Sequence, residues 1–379
     1  MKLIRMSTVG LSLDVFCRGL LTELKAEGYD VTALSSPDAE LARLGEREGV
    51  RTVGVRMRRD ISPLSDLVSL VRLIRVMRRE KPDIIHTLTP KAGLLGMLAA
   101  WIARVPVRVH TFTGLLFPTA TGLRRLLLMT TDRITCMAAT HIVPEGEGVR
   151  NDLLSAGITR KPMRVLGHGN IRGIDLDHYR PTERIEAEAL NLRRRLGITP
   201  NARVLTFVGR FVKDKGLREL IAAVRGLDCE LVLVGAPEGG PNDIPDTLLH
   251  SSSRIHLSGE WVDDTRPWLA MADALVFPSY REGFPNVVLE AGAMGKPSIV
   301  TDINGSREII ADGVNGLVVP PRDADALRGA IERFLAMPTA ETDRMGRAAR
   351  ENVEKKFSQT YVRACLKEYY REITCSPHS

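Results

Sequence analysis

Short apolar runs alternate with amphipathic stretches along both halves of this chain, and that pattern restricts each half to a parallel sheet flanked by helices. In the first half, residues 2–6, 29–34, 50–55, 83–87 and 107–112 read as strands. Helices are predicted between them at 15–27, 39–48, 67–79 and 93–104. The second half repeats the order, with strands expected at 204–208, 230–234, 255–259, 274–277, 298–301 and 317–320. Strands that alternate with helices form parallel sheets because each crossover helix packs back onto the sheet. With 379 residues, each half is long enough to bury its own core. A glycine-rich connection is predicted at 163–181, where 163–166 reads as a short strand and Gly167, Gly169 and Gly173 allow a chain crossing.

Several function classes are disfavoured at once. The loop after the first strand is Ser7-Thr8-Val9-Gly10-Leu11-Ser12 and lacks the glycine fingerprint of a nicotinamide-dinucleotide site. The longest apolar segment, 93–103, is too short to span a bilayer. Arg5, Asp14, Arg18 and Glu23 interrupt any leader-like apolar region at the start. Cys17, Cys136, Cys229, Cys365 and Cys375 are scattered without metal-ligand spacing, which suits a reduced, cytoplasmic compartment. Asp175 and Asp177 read as solvated linker acids, and no metal site is expected.

A net charge of +7 favours anionic partners such as a nucleotide, a phosphate or an anionic membrane surface. Arg72, Arg75, Arg78 and Arg79 fall on a predicted helix that carries Leu67, Leu70, Val71 and Ile74 on another face, and Arg56, Arg58 and Arg59 precede it. Such a helix suits either a lipid surface or an ordinary core-facing role. Nucleic acid is not expected, because no aromatic residues interleave with the basic ones.

Two loops carry the chemistry. Arg281-Glu282-Gly283-Phe284-Pro285 follows the strand at 274–277 and leads into a helix predicted from Asn286, with Pro285 suited to a first helical position. Glu282 and Glu290 would flank the helix start, where free N–H groups and the dipole attract an anion. Carboxylates that accept sugar hydroxyls beside an anion site fit a nucleotide sugar. Gly209-Arg210-Phe211-Val212-Lys213-Asp214-Lys215-Gly216 follows the strand at 204–208, and a guanidinium with an ammonium suits a diphosphate.

The Glu282-Gly283-Phe284-Pro285-Asn286 run and the Glu290–Pro297 stretch resemble the donor-site signature of retaining GT-B glycosyltransferases of family 4. The Gly209–Gly216 loop is similar to that family's phosphate loop. Residues 86–96 look like a subgroup that builds bacterial surface polysaccharides. The resemblance implies an α/β GT-B fold: two Rossmann-like parallel-sheet domains facing a cleft. It implies an acceptor-side domain at 1–165, a linker at 166–181, a nucleotide-sugar domain at 182–357 and a final helix at 358–379 returning to the first domain. Glu282, Arg210 and Lys215 would be catalytic. Gly209, Arg210, Lys215, Glu282, Gly283, Phe284, Pro285, Asn286, Val287 and Glu290 would bind the donor.

Thr113, Gly114, His110 and Lys91 are the candidate acceptor-side residues. The motif Thr111-Phe112-Thr113-Gly114 puts Thr113 where the family usually has histidine, and His110 lies three residues earlier. The implied activity is metal-independent, retaining transfer from a UDP-sugar to a glycan or lipid-linked sugar, with no cofactor. The implied location is cytoplasmic or peripheral on the inner membrane face. The alternatives are a GT-B sugar-nucleotide epimerase and a non-catalytic nucleotide-sugar-binding subunit.

Overall fold

The structure, a computed structural model, describes residues 1–375 except 59, 61, 241 and 242, so Arg59 lies outside the described residues. The chain divides into two compact units: Met1–Arg172 with the chain from Val362 on, and Gly173–Tyr361.

The first unit contains β1 (Lys2–Met6), β2 (Asp30–Ser35), β3 (Arg51–Gly54), β4 (Ile84–Thr87), β5 (Val107–Phe112) and β6 (His141–Pro144). The second contains β7 (Val204–Val208), β8 (Glu230–Val234), β9 (Ile255–Leu257), β10 (Ala274–Phe277), β11 (Ser298–Thr301) and β12 (Gly316–Val319). Their spatial orders are β3-β2-β1-β4-β5-β6 and β12-β11-β10-β7-β8-β9, with every neighbouring pair parallel. The two units thus share one doubly wound topology. The order reverses between β1 and β4 in the first unit and between β7 and β10 in the second.

Both faces of each sheet are covered, so consecutive strand residues enter different cores. On β1, Leu3 packs with Leu13, Val31 and Tyr370, whereas Ile4 packs with Leu73, Leu95 and Phe112. On β7, Val204 joins Val232 and Trp268, and Leu205 joins Leu220 and Leu231.

The final helix, Gln359–Cys375, supplies Tyr370 to the first unit. The buried Arg5 guanidinium donates to the Tyr370 hydroxyl at 2.8 Å and to His86 Nδ1 at 2.6 Å. With that nitrogen accepting, the other ring nitrogen donates to Thr111 Oγ1 at 2.6 Å. Burial and the adjacent Arg5 cation hold His86 well below the usual histidine range, so its ring is neutral.

Three local expectations are corrected. The helix expected at 15–27 is two, Gly10–Cys17 and Leu20–Ala26, broken at Gly19 with φ 74°. The strand expected at 163–166 reduces to a bridge between Met163 and Ile142. The third concerns the basic helix, which runs Pro63–Glu80. Its buried face is Ser69, Leu73 and Met77, with Leu70 and Ile74 of the expected stripe half-buried against the same core, while Leu64, Leu67, Val68 and Val71 point to solvent together with Arg72 and Arg75. Among the described residues no helix is long and apolar enough to cross a membrane.

Candidate functional site

Because β7 and β10 are neighbours at the reversal of strand order, the loops at their carboxyl ends must meet. Open α/β sheets bind ligands at such a point. The contact is tight. Tyr280 N–H donates to the Asp214 carbonyl at 2.8 Å, and Arg281 Nε donates to the Asp214 carboxylate at 3.0 Å. Gly216 has φ +70°, and a Cβ there would lie 2.0 Å from the Pro278 carbonyl oxygen. Glycine is therefore required for the two loops to approach.

This approach brings Lys215 to Glu282. The Lys215 ammonium pairs with Glu282 Oε1, the same oxygen that accepts the Ser279 hydroxyl at 2.7 Å. Lys215 also lies 5.0 Å over the Phe277 ring, which adds a cation–π contact. Ser279 and Asp214 escaped sequence reasoning because their roles arise from contact between loops some sixty-five residues apart. Position at two strand ends flanking the reversal was the available signal.

Gly283, Phe284 and Pro285 carry the chain into the helix Asn286–Ala293. Pro285 precedes that helix with ψ 99° and does not occupy its first turn, which corrects the expectation for this residue. Phe284 is buried with its ring 5.4 Å from that of Phe357, so it anchors the loop in the core. Gly305, φ +74°, lets a neighbouring loop lie against it, since a Cβ there would be 2.7 Å from the Gly283 carbonyl oxygen. Val287 is half-buried, and Glu290 is buried at 8 % exposure.

Arg210 does not join the Lys215–Glu282 group. Its guanidinium pairs with Glu238 at 2.6 Å, both side chains being about half exposed. Gly209 N–H donates to the Val234 carbonyl at 2.9 Å, and a Cβ on Gly235 would sit 1.9 Å from the Gly209 oxygen. The β7 and β8 loops are thereby locked side by side, with Arg210 and Glu238 at their rim.

In the first unit, the β1 and β4 loops meet through Thr8 and Thr89, whose hydroxyls are 2.8 Å apart. Lys91 pairs with Asp66 at 2.8 Å and also donates to the Asp60 carbonyl. His110 is buried on β5 with Nδ1 2.8 Å from Thr87 Oγ1, and burial pushes its pKa down to about 3. Its ring occupies the space a side chain at position 93 would need, because a Cβ on Gly93 would be 2.3 Å from the ring. His110, Thr113 and Gly114 nevertheless line one cavity, together with Asp132. Asp132 lies on the helix Gly122–Ala138, which sequence reasoning did not predict.

A family model for a glycosyl transferase 4-like domain matches residues 13–169, and one for glycosyl transferases group 1 matches residues 202–337. The capsular polysaccharide biosynthesis glycosyltransferase CapM of Staphylococcus aureus is 30% identical over 97% of this chain and 96% of its own length. The chain belongs to the group 1 glycosyltransferases. A second relative of this glycosyltransferase is the UDP-Gal:alpha-D-GlcNAc-diphosphoundecaprenol alpha-1,3-galactosyltransferase of Escherichia coli. It is 30% identical over 73% of this chain and 72% of its own. The crystal structure of HepE from Anabaena in complex with UDP superposes with a TM-score of 0.80 at 20% identity, covering 98% of this chain and all of that one. The glycosyltransferase therefore has the GT-B fold, two doubly wound sheets. Its residues Lys215, Ser279 and Glu282 form the polar group at the switch point of the sheet matched by the group 1 model.

Proposed function

We propose that this glycosyltransferase moves a sugar, with retention and without a metal ion, from a UDP-sugar to a glycan or polyprenyl-diphosphate-linked sugar in bacterial surface-polysaccharide synthesis. The observation that carries the proposal is the Lys215–Glu282–Ser279 group at the switch point, beside the start of a helix. Lys215 and Arg210 take the diphosphate and offset the negative charge that develops as it leaves. The backbone at Phe284, Pro285 and Asn286 meets the donor sugar, Glu282 accepts its hydroxyls and Glu290 holds the ribose. Support for the donor and acceptor comes from the UDP bound to HepE and from the lipid-linked acceptor in the name of the E. coli relative. An epimerase of the same fold would need no second sugar, and no relative named here favours it.

The test is thermal unfolding with UDP and with UDP-sugars, in the presence and absence of EDTA. UDP should raise the midpoint equally in both conditions. Arg210→Ala should weaken UDP binding by about 1.5–3 kcal/mol, the loss of a charge-assisted contact. A midpoint shift that appears only with Mn²⁺ counts against the metal-free reading.

A cytoplasmic enzyme with a lipid-linked acceptor must meet the inner membrane face from the side. Leu64 (84% exposed), Leu67, Val68 and Val71 share the outer side of the Pro63–Glu80 helix with Arg72 and Arg75. Apolar residues that dip into the headgroups and arginines that pair with anionic lipid suit that role, each arginine contributing about 1 kcal/mol. The protein should sediment with anionic liposomes at low salt and less at high salt. Replacing Arg72, Arg75, Arg78 and Arg79 by glutamate should abolish sedimentation and spare UDP binding. Retained sedimentation of the charge-reversed protein would remove this helix as the contact.

A further inference from the structure

The helix Gly122–Ala138 places one acid, Asp132, against the carboxyl end of β5. Its carboxyl shares a cavity with His110, Thr111, Thr113 and Thr131, of about 20 Å³, room for a single water or hydroxyl group. Among the described residues no hydrogen bond or ion pair to it is found, and its half-buried carboxyl keeps contact with solvent. Burial pushes its pKa up to about 7.

The surrounding titratable groups do not compensate it. His110, across the cavity, is neutral, and His86 stands behind Thr111 as a neutral ring. Cys136 lies one turn along the same helix, its thiol pushed up by burial and by Asp132, with Lys161 beyond it. Lys91 is paired with Asp66. A second cavity, of about 330 Å³, adjoins the first and shares Thr89, Pro90, Leu116, Leu128 and Thr131 with it. The wall of that larger space is mostly apolar, with Leu94 and Leu127, but also holds the Lys91–Asp66 pair, and Leu127 reaches the surface beside exposed Leu123 and Leu126.

A small polar recess that opens into a larger, mostly apolar space suits a hydroxyl carried on an amphiphilic body. We propose that Asp132 is an acceptor-positioning residue, whose carboxylate accepts a hydrogen bond from an acceptor hydroxyl in the recess it forms with His110 and Thr113. The assignment rests on the glycosyl-transfer reading above and supplies, on the acceptor side, a polar group where Thr113 stands in place of histidine. No covalent step is assigned to Asp132.

The stability of the chain carries a mark of the burial of this carboxyl. Between about pH 4 and pH 7 the folded chain keeps a proton on Asp132 that the unfolded chain has released. Its contribution to stability therefore falls as pH rises through that window and is flat above it. Asp132→Asn removes the loss, so the variant should melt higher than the parent at about pH 8.5 and equally at about pH 4. An acid held by an ion pair or hydrogen bonds, its pKa lowered in the fold, would show the opposite.

The experiment uses the full chain with UDP present and, as acceptor probe, N-acetylglucosamine linked through diphosphate to a short prenyl chain. The parent should bind the probe roughly eightfold more weakly at about pH 5.5 than at about pH 8.5, because protonated Asp132 binds it no better than a neutral side chain does. Asp132→Asn should bind it about tenfold more weakly than the parent at the higher pH and show no such pH dependence. UDP should protect both proteins alike. Unchanged probe binding in the variant, an unaltered pH profile, a parent that never binds the probe, or a variant that melts lower at about pH 8.5 would each overturn the assignment. Failure of UDP to protect the parent would instead count against the donor reading, so the two failures are distinguishable.

Discussion

Glu282→Gln should lower sugar transfer by roughly 2- to 30-fold for each donor hydroxyl it holds, while leaving the fold and UDP binding largely unchanged. Glu282 Oε1 receives both the Lys215 ammonium and the Ser279 hydroxyl. A glutamine keeps the shape and one accepting oxygen, so the loops stay joined. What it loses is the negative charge, and hydrogen bonds to a charged group contribute about 1.5–3 kcal/mol against about 1 for neutral ones. On the proposed reading, a diphosphate draws the Lys215 ammonium away and frees the carboxylate for donor hydroxyls. Steady-state kinetics with the UDP-sugar that supports transfer, read beside a melting curve, separates the possibilities. A variant that unfolds makes Glu282 structural, and one with the parent's rate removes it from the site.

Gly216→Ala should destabilise the second unit by about 2–4 kcal/mol and remove UDP protection. Two effects add. The residue has φ +70°, where a side chain costs about 1 kcal/mol or more, and the new Cβ would be 2.0 Å from the backbone oxygen of Pro278. Backbone cannot swing aside as a flexible side chain can, so the β7 and β10 loops must separate. Lys215 and Glu282 would move apart with them. Gly226→Ala is the control, because Gly226 also has a positive φ of +75° but nothing within 4 Å of the added atom. It should cost only the backbone strain. Equal melting points for the two variants would show that close approach does not matter at Gly216.

The strands were largely legible because buried parallel strands read as continuous apolar runs. β1, β5, β7, β8, β10 and β11 begin and end where those runs do. β6 escaped because His141-Ile142-Val143-Pro144 is short and ends in proline, and the helix Gly122–Ala138 because its outer side is studded with exposed leucines. Leu123 is 85% exposed, Leu126 and Leu127 lie in the open beside it, and the helix's apolar pattern fits no single buried face. The Pro63–Glu80 helix misled for a related reason. Leu67 and Val71 have the spacing of a core stripe, yet they stay exposed, and the face that packs centres on Leu73 and Met77 with only Leu70 and Ile74 of the stripe at its margin. Periodicity gives the stripe but not the direction in which it points.

By itself the sequence determined the alternation of strands and helices, and hence two parallel sheets flanked by helices. It also determined the two loops, Gly209–Gly216 and Glu282–Pro285, whose residue types suit a diphosphate and a sugar. Local composition carries that information because strand and helix preferences and turn chemistry act over a few residues. Only the tertiary structure decided which side chains meet. It joined Lys215 to Glu282, turned Arg210 to Glu238, buried His110 beneath Gly93, and set Asp132 beside His110 at one cavity. Those outcomes depend on strand order, which sets loops distant in sequence side by side, and no run of neighbouring residues encodes that order.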